Sequence, residues 1–546
     1  MPPEFLRSRP RAHSFSQQRL TGAFYTPSTA ADYMAAWAVR TGRERVLEPS
    51  MGDGNFIVAV NQRVSQNHDP HLQAWGVELE AAALELALAA ELLPPGRAIN
   101  RDFLTVRPFE VDVIIGNPPY VRLRHLQATA RDAALSAAKA VLGQDMDPSG
   151  SVWMPFVLHA TRFLAPSGRL ALVLPFDFTY VRYARSLWSH LGAHFESLRL
   201  VRVFDRLFPE LSQDVVLLLA DGWGDRTDTV EFETYASASK LNLDSAETRT
   251  SVPIRSILSG EKPFAEAVLP RPLRRLLPRL VAETVEAREV VRWNIGYVCG
   301  DKGYFHPDAA VAEHYRLPGT SLMPTIATAR RFRGAGILTS ALPECGAEHL
   351  FLPGDSLTSG EQRYIALGER QGVAERYKCR VRDPWYVTPG VRVPDVLLPV
   401  FSERPGLALN DAGLVASNSM LCGYLLSGTG AELVSAWYTS LTLLWLELEV
   451  HSLGGGVMVL VPNEAGRVRV PRVRSAPPGH VAAIHELSRQ GLAEEAFRVG
   501  DRSVLESAMG LDRTEIELVR EGVAQLRRWR TSMRGEGPSA EVRLSA

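Results

Sequence analysis

Hydrophobic positions in the first 220 residues fall in short continuous runs divided by glycine, proline and polar turns. Runs of that length without alternation predict strands buried on both faces, as in a parallel sheet flanked by helices. Val111-Asp112-Val113-Ile114-Ile115-Gly116 predicts one such strand. Arg45-Val46-Leu47-Glu48 and Ala74-Trp75-Gly76-Val77-Glu78 predict two more, each ending in an acid. Arg169 to Leu174 predicts a fourth, stopped at Pro175, and Leu198 to Phe204 with Val215 to Leu219 predict a closing pair. Between them, the alanine-rich stretch Ala81 to Leu93 predicts a helix and Trp153 to Leu164 an amphipathic one.

The pattern changes further on. A polar region, Asp225 to Lys262, reads as a domain join, followed by Arg-rich helical sequence from about Leu269 to Val291. From Gly296 the chain breaks into short strands and loops, and from Pro477 it is helical and polar, ending in a tail from Arg534 whose composition predicts no fixed structure. A chain of 546 residues exceeds what one core can hold. The expected division is 1–245 for a first α/β domain, 246–290 for joining helices, 291–476 for a mixed α+β domain, and 477–546 for a helical segment and tail.

Composition narrows the class modestly. Hydrophobic residues at 46% and charged residues at 22% are those of a globular protein. No apolar segment follows the Arg/Pro-rich N-terminus as in a signal peptide, and the longest apolar stretch, Val434 to Val450, is broken by polar residues, so no membrane attachment is expected. Cys299, Cys345, Cys379 and Cys422 lie far apart without metal spacing, which predicts free thiols in a reducing cytoplasm and no structural metal. The net charge of −1 argues against a protein that coats nucleic acid, but not against one with a local basic face. Only five cations are lysines. The arginines supply forked donors for phosphates and guanine edges.

The candidate chemistry begins where the strand from Val111 ends, at Asn117-Pro118-Pro119-Tyr120. Ligands of open α/β sheets bind at the carboxyl ends of strands. Each proline fixes its own φ and holds the residue before it extended, so Asn117 and Pro118 are both stiff. Asn117 then presents an amide carbonyl, Pro118 a backbone carbonyl, and Tyr120 a flat face. Two acceptors beside an aromatic plate suit an amino group on a planar ring. The bland alternative is a Pro-Pro turn that only closes the strand. Glu48-Pro49-Ser50-Met51-Gly52-Asp53-Gly54 reads as a glycine loop between strand and helix, and its acid repels phosphate and attracts a cation. Glu78 is placed to accept from ribose hydroxyls, while Glu80 fits a helix cap. Asp102 can accept from an adenine amino group with Phe103 on the ring, an Asx turn being the alternative. Phe208 suits a second aromatic wall, or else a plug under a hairpin.

These segments, in this order, resemble the gamma class of N6-adenine DNA methyltransferases of restriction–modification systems. The resemblance runs from Gly22-Ala23-Phe24-Tyr25-Thr26-Pro27 through the glycine loop, Glu78, Asp102-Phe103 and Asn117-Pro118-Pro119-Tyr120 to Phe208-Pro209. It implies a Rossmann-like S-adenosylmethionine-binding domain followed by a mixed α+β DNA target-recognition domain. Tyr25, Thr26, Glu48, Pro49, Ser50, Gly52 and Gly54 then lie along the methionine end of the cofactor, Glu78 on the ribose, and Asp102 and Phe103 on the adenine. Asn117 and Pro118, with Pro119 and Tyr120, form the catalytic motif, and Tyr120 and Phe208 sandwich a base flipped out of double-stranded DNA. The basic and aromatic clusters Arg330-Arg331-Phe332-Arg333 and Arg376 to Tyr386 are candidate DNA contacts, through Arg330, Arg331, Arg333, Lys378, Arg380, Arg382 and Trp385, or plain surface around a buried Trp. No nuclease carboxylate–lysine cluster is visible, which leaves any endonuclease to a separate chain. The rivals are an amino-methyltransferase acting on RNA guanine or protein glutamine, and a subunit that reads DNA without activity of its own.

Overall fold

The computed structural model describes residues 26–65, 73–204, 207, 214–342, 348–453 and 456–531. The chain divides between Val268 and Leu269 into two compact units, the second ending at Arg530.

The first unit is a Rossmann-like α/β domain built on a nine-stranded sheet. In chain order its elements are α1 (Ser28–Ala38), β1 (Arg45–Glu48), α2 (Asn55–Ser65), β2 (Gln73–Glu78), α3 (Ala81–Ala89), β3 (Ala98–Asn100) and β4 (Val111–Gly116). They continue with α4 (Ala128–Leu142), α5 (Trp153–Thr161), β5 (Leu164–Pro175), α6 (Arg185–His194), β6 (Phe195–Val203), β7 (Val215–Trp223), β8 (Thr229–Tyr235) and β9 (Thr248–Pro253). The order across the sheet is β3-β2-β1-β4-β5-β7-β6-β8-β9. β3, β2, β1, β4 and β5 are parallel neighbours, and β7 runs antiparallel between β5 and β6. The connections from β1 therefore turn one way to β2 and β3, and the other way from β4 to β5. The switch lies between β1 and β4, where open α/β sheets bind ligands.

Burial explains why the central strands read as apolar runs. Val113, Ile115, Ala171 and Val173 join a core with α1 and α2, and strand alternation turns Ile114, Leu170 and Leu172 to the opposite face. All seven are 0% exposed. On β5, α5 is buried along its whole length, because α4 packs over it. The amphipathic helix expected from Trp153 to Leu164 is thus a shorter, fully covered one. α3 stops at Ala89, short of the expected Leu93, because the chain turns through Glu91 at φ 57° and sends Leu92 and Leu93 into the core.

The region Asp225 to Lys262 is no simple join. It supplies β8, parallel to β6, and β9, antiparallel to β8, so the first unit extends past residue 245 and takes in much of the expected 246–290 joining segment. Thr229-Val230-Glu231-Phe232-Glu233 alternates in character because Thr229 and Glu231 are partly exposed, while Glu233 is buried and paired with Arg199 and Arg249 at 3.4 and 2.8 Å.

The second unit is mixed α+β. A four-stranded antiparallel sheet orders Val291–Ile295, Met420–Leu425, Val396–Pro399 and Ala408–Leu409. A three-stranded sheet places Leu322–Ile326 between Glu348–Phe351 and Val415–Ala416. The apolar stretch from Val434 forms two core helices, Gly430–Trp437 and Ser440–Glu449. Among the described residues no helix is long and apolar enough to cross a membrane, and no group of three His, Cys, Asp or Glu residues is placed to hold a metal. Cys299, Cys379 and Cys422 are free and buried. Cys345 and the tail from Arg534 lie outside the described residues.

Candidate active site

The loops after β1, β2 and β4 converge at the switch between β1 and β4. After β1, the Gly54 N–H donates to the Met51 carbonyl at 2.8 Å, closing a tight turn. Gly54 sits at φ +76°, a conformation that favours glycine, and a Cβ there would press to 2.6 Å from Leu92 Cδ1. The loop is clamped from β2: Gly52 N donates to Glu78 Oε2 at 2.8 Å, and Glu80 N donates to Glu78 Oε1 at 2.9 Å. Glu48 is 1% exposed, and its Oε2 accepts from Ile57 N at 3.2 Å. Burial, with Asp53 and Glu78 nearby, pushes the Glu48 carboxyl well above its usual range.

The segment after β4 is tied to both neighbours. Ser50 Oγ donates to the Asn117 carbonyl at 2.9 Å, joining the glycine loop to the Asn-Pro-Pro-Tyr stretch. Asn117 Nδ2 donates to Thr26 Oγ1 at 3.4 Å, and Asn55 Nδ2 donates to the Thr26 carbonyl at 3.0 Å. Tyr120 Oη donates to the Val173 carbonyl on β5 at 3.1 Å, which fixes the ring. Burial, and Asp177 behind it, raise its phenol well above the usual value, so it stays a neutral donor.

A cavity of about 230 Å³ opens among these loops. Its wall carries Glu48, Asp53, Glu78, Glu80 and Asp102 against a single Arg101. Such a wall disfavours a phosphate-bearing ligand and favours a cationic one. Phe103, Phe156, Leu104 and Leu126 supply flat and apolar wall. Leu79 at the rim is 68% exposed, an apolar side chain left for a ligand to cover. Acids for a cation and for hydroxyls, beside apolar wall for a ring, fit the donor set of S-adenosylmethionine.

Comparison with known proteins agrees with this geometry. Residues 12–182 match the N-6 DNA Methylase family. The N-terminal unit is thus similar to the N-6 DNA Methylase family. Residues 261–505 match a second family, the C-terminal domain of Type II methyltransferase M.Eco57I, so the methylase domain is followed by a distinct mixed α+β domain. Type II methyltransferase M.PaeR7I of Pseudomonas aeruginosa is 23% identical, over 87% of this chain and 89% of its own length. Type II methyltransferase M.BanIII of Aneurinibacillus aneurinilyticus is 24% identical, over 35% of this chain and only 36% of its own length. A tRNA1(Val) (adenine(37)-N6)-methyltransferase of Tolumonas auensis is 31% identical over 26% of this chain and 56% of its own length. Among solved structures, the type IIL restriction-modification enzyme MmeI in complex with DNA aligns with 92% of this chain and 75% of its own, at a TM-score of 0.49 and 14% identity.

Within the methylase domain, the cavity brings together Thr26, Glu48, Pro49, Ser50, Gly52, Glu78, Asp102 and Phe103 with Asn117 and Pro119. Gly54 shapes the loop from behind. Pro118 is buried and Tyr120 half-buried, and neither lines this cavity. Asp102 Oδ1 also accepts from Leu104 N at 3.0 Å, so the Asx-type turn weighed for it is present alongside its place in the wall. Phe103 is 2% exposed and packs on Phe156 and Phe163 at 4.7 and 5.3 Å between ring centroids. Tyr25 and Phe208 lie outside the described residues. The sequence reading missed Leu79, whose signal was its place directly after the strand-end acid. It also missed Asp177 and Arg122, 3.9 Å apart beside Tyr120, which carry no motif.

In the C-terminal unit, Arg330 and Arg333 are exposed and Arg331 half-buried on the short helix Ala329–Phe332 and its end. Lys378 and Arg380 are exposed. Arg382 and Trp385 are placed differently. The Arg382 guanidinium donates to the Val298 and Cys299 carbonyls, and Trp385 packs with Tyr304 at 5.5 Å against the core around Phe351. For these two the structure supports a packing role rather than DNA contact.

Proposed function

We propose that this chain transfers a methyl group from S-adenosylmethionine to the N6 amino group of an adenine flipped out of double-stranded DNA, as the modification enzyme of a restriction–modification or related defence system. The observation that carries the reading is the Asn117–Tyr120 stretch, pinned by Ser50, Thr26 and Val173 at the edge of an acid-walled cavity. The names of the type II methyltransferases similar to the chain support it, as does the match of residues 261–505. The substrate is in the cytoplasm, and a separately encoded endonuclease completes the proposed system.

S-adenosylmethionine, when bound, supplies an electrophilic methyl group on its sulfonium. Glu78 would accept from the ribose hydroxyls and Asp102 from the adenine amino group, and the Glu48–Asp53 side of the wall would face the cationic methionine end. With the cofactor bound, Leu79 and Phe103 would flank its adenine, and Thr26, with Tyr25 as the resemblance implies, would hold its methionine end. The target amino nitrogen has its lone pair conjugated into the ring and is a poor nucleophile. Asn117 Oδ1 and the Pro118 carbonyl accept hydrogen bonds from its two N–H groups and turn the lone pair toward the methyl. As the N–C bond forms the sulfonium S–C bond breaks, and the methylated nitrogen then gives up one proton to solvent. The Nδ2 donation to Thr26 sets which end of the Asn117 amide is the acceptor. Positioning and electrostatics supply the catalysis, with no covalent intermediate.

Extruding a base costs a few kcal/mol, and stacking on Tyr120 and Phe208 offsets about 1–3 kcal/mol per ring. Tyr120→Ala and Phe208→Ala should each weaken the flipped state about tenfold or more. A mismatched target, already unpaired, should restore part of the activity of both variants, but not that of Asn117→Ala, which lacks the acceptor. Single-turnover rates on matched and mismatched duplexes measure this, with melting curves to confirm that Tyr120→Ala folds. Equal rescue of all three variants would overturn the assigned division of labour.

A second reading is methylation of RNA, favoured by the alignment with the tRNA methyltransferase. That alignment leaves the C-terminal unit without a role. Labelled methyl transfer by the purified chain to DNA, RNA and protein separates the readings. DNA as the acceptor is expected. Labelling of RNA alone would move the assignment, and duplex binding without transfer would identify an idle subunit.

A further inference from the structure

We propose that the short helix Tyr377–Arg380 and the residue after it form an apolar wedge, tipped by Tyr377 and Val381, that inserts between base pairs of duplex DNA. The inference rests on the reading of the chain as a duplex-DNA enzyme and assigns a site within it. Tyr377 is 64% exposed and Val381 62%, more than any other large apolar side chain described in the C-terminal unit. Single exposed apolar residues are ordinary. This pair is not isolated, because the two stand four residues apart with Lys378 and Arg380 between them.

The knuckle is held from below. Cys379 is 0% exposed, with its Sγ 3.7 Å from the Cys299 carbonyl. Arg382 donates to the Val298 and Cys299 carbonyls, and Arg376 pairs with Asp301 at 2.6 Å. Gly300, at φ +97°, lets the two segments approach: a Cβ there would lie 2.8 Å from Cys379 Sγ. Inward-facing residues thus fix the backbone, and the outward-facing ones are Tyr377, Lys378, Arg380 and Val381.

The outward side has a defined chemistry. Lys378 Nζ lies 5.5 Å and Arg380 Cζ 5.6 Å from the Tyr377 ring centroid, so two cations are gathered beside the exposed ring. Cations suit phosphates, and the ring and Val381 suit the apolar faces of base pairs. Proteins that insert apolar side chains between base steps unstack and kink the duplex. A polyanionic backbone flanking a stack of flat apolar rings is the occupant that matches both halves of this surface. It also divides the labour, with the cations providing salt-dependent affinity and the wedge deforming the helix.

The test is relaxation of closed plasmid DNA by a topoisomerase in the presence of the full-length chain, together with the salt dependence of plasmid binding. An inserted wedge unwinds the duplex and shifts the topoisomer distribution. The Tyr377→Ala/Val381→Ser double variant should lose much of the wild-type shift, bind about tenfold more weakly, and keep the salt slope. Tyr377→Phe should retain the shift. Lys378→Ala/Arg380→Ala should lower the slope of log K against log salt by up to about 2. A double variant with the wild-type shift, or a wild-type chain that binds plasmid without any shift, would overturn the wedge alone. A wild-type chain that does not bind duplex DNA would overturn the wedge and the DNA reading together.

Discussion

Asn117→Ala is expected to reduce the rate of methyl transfer by about 10²–10³-fold while cofactor affinity stays at the wild-type level. The magnitude is that of removing one preorganised polar group that acts on charge developing in the transition state. In the proposed reaction the amino group gains positive character as the nitrogen attacks, so the Asn117 carbonyl interacts more strongly with the transition state than with the bound base. The main clamp on the glycine loop does not run through the Asn117 side chain. Asn117 reaches the cavity from β4, through its ties to Ser50 and Thr26, while the clamp on the glycine loop comes from Glu78 on β2. Asn117→Asp keeps an oxygen acceptor and should retain more activity than alanine. Single-turnover rates with saturating duplex, beside calorimetry of S-adenosylmethionine binding, measure the two effects independently. A rate within scatter of wild type would remove Asn117 from the chemistry.

Glu78→Ala is expected to weaken S-adenosylmethionine binding by about 10–150-fold, the range for hydrogen bonds to a charged group at 1.5–3 kcal/mol. An ionised carboxylate offers about four lone-pair positions. Gly52 N and Glu80 N occupy one on each oxygen, which leaves one on each for a ribose hydroxyl. The variant therefore loses the ligand's acceptor and the clamp on the loop that lines the cavity. Glu78→Gln keeps one oxygen acceptor and should bind more tightly than Glu78→Ala. Unchanged affinity in Glu78→Ala would show that the ribose lies elsewhere.

Much of the methylase domain was legible in the sequence because its central strands are buried on both faces. The Val111 to Gly116 run admits only one kind of strand, and acids at the ends of two such strands mark a site for cationic and hydroxyl-bearing ligands. Side chains that act through exposure or through partners distant in sequence were not legible. Leu79 looks like any leucine until the fold leaves it at the rim of a cavity. Arg382 looks like any other arginine of its cluster until its guanidinium is seen on the Val298 and Cys299 carbonyls. The outer strands β8 and β9 read as a linker because strands that are only partly covered carry as many polar residues as apolar ones.

Nucleoside analysis of duplex DNA after incubation with the purified chain and S-adenosylmethionine tests the central claim most directly. N6-methyladenine should accumulate, at one sequence, and should disappear with Asn117→Ala. N4-methylcytosine as the product, or unmodified DNA with cofactor bound and duplex engaged, would contradict it.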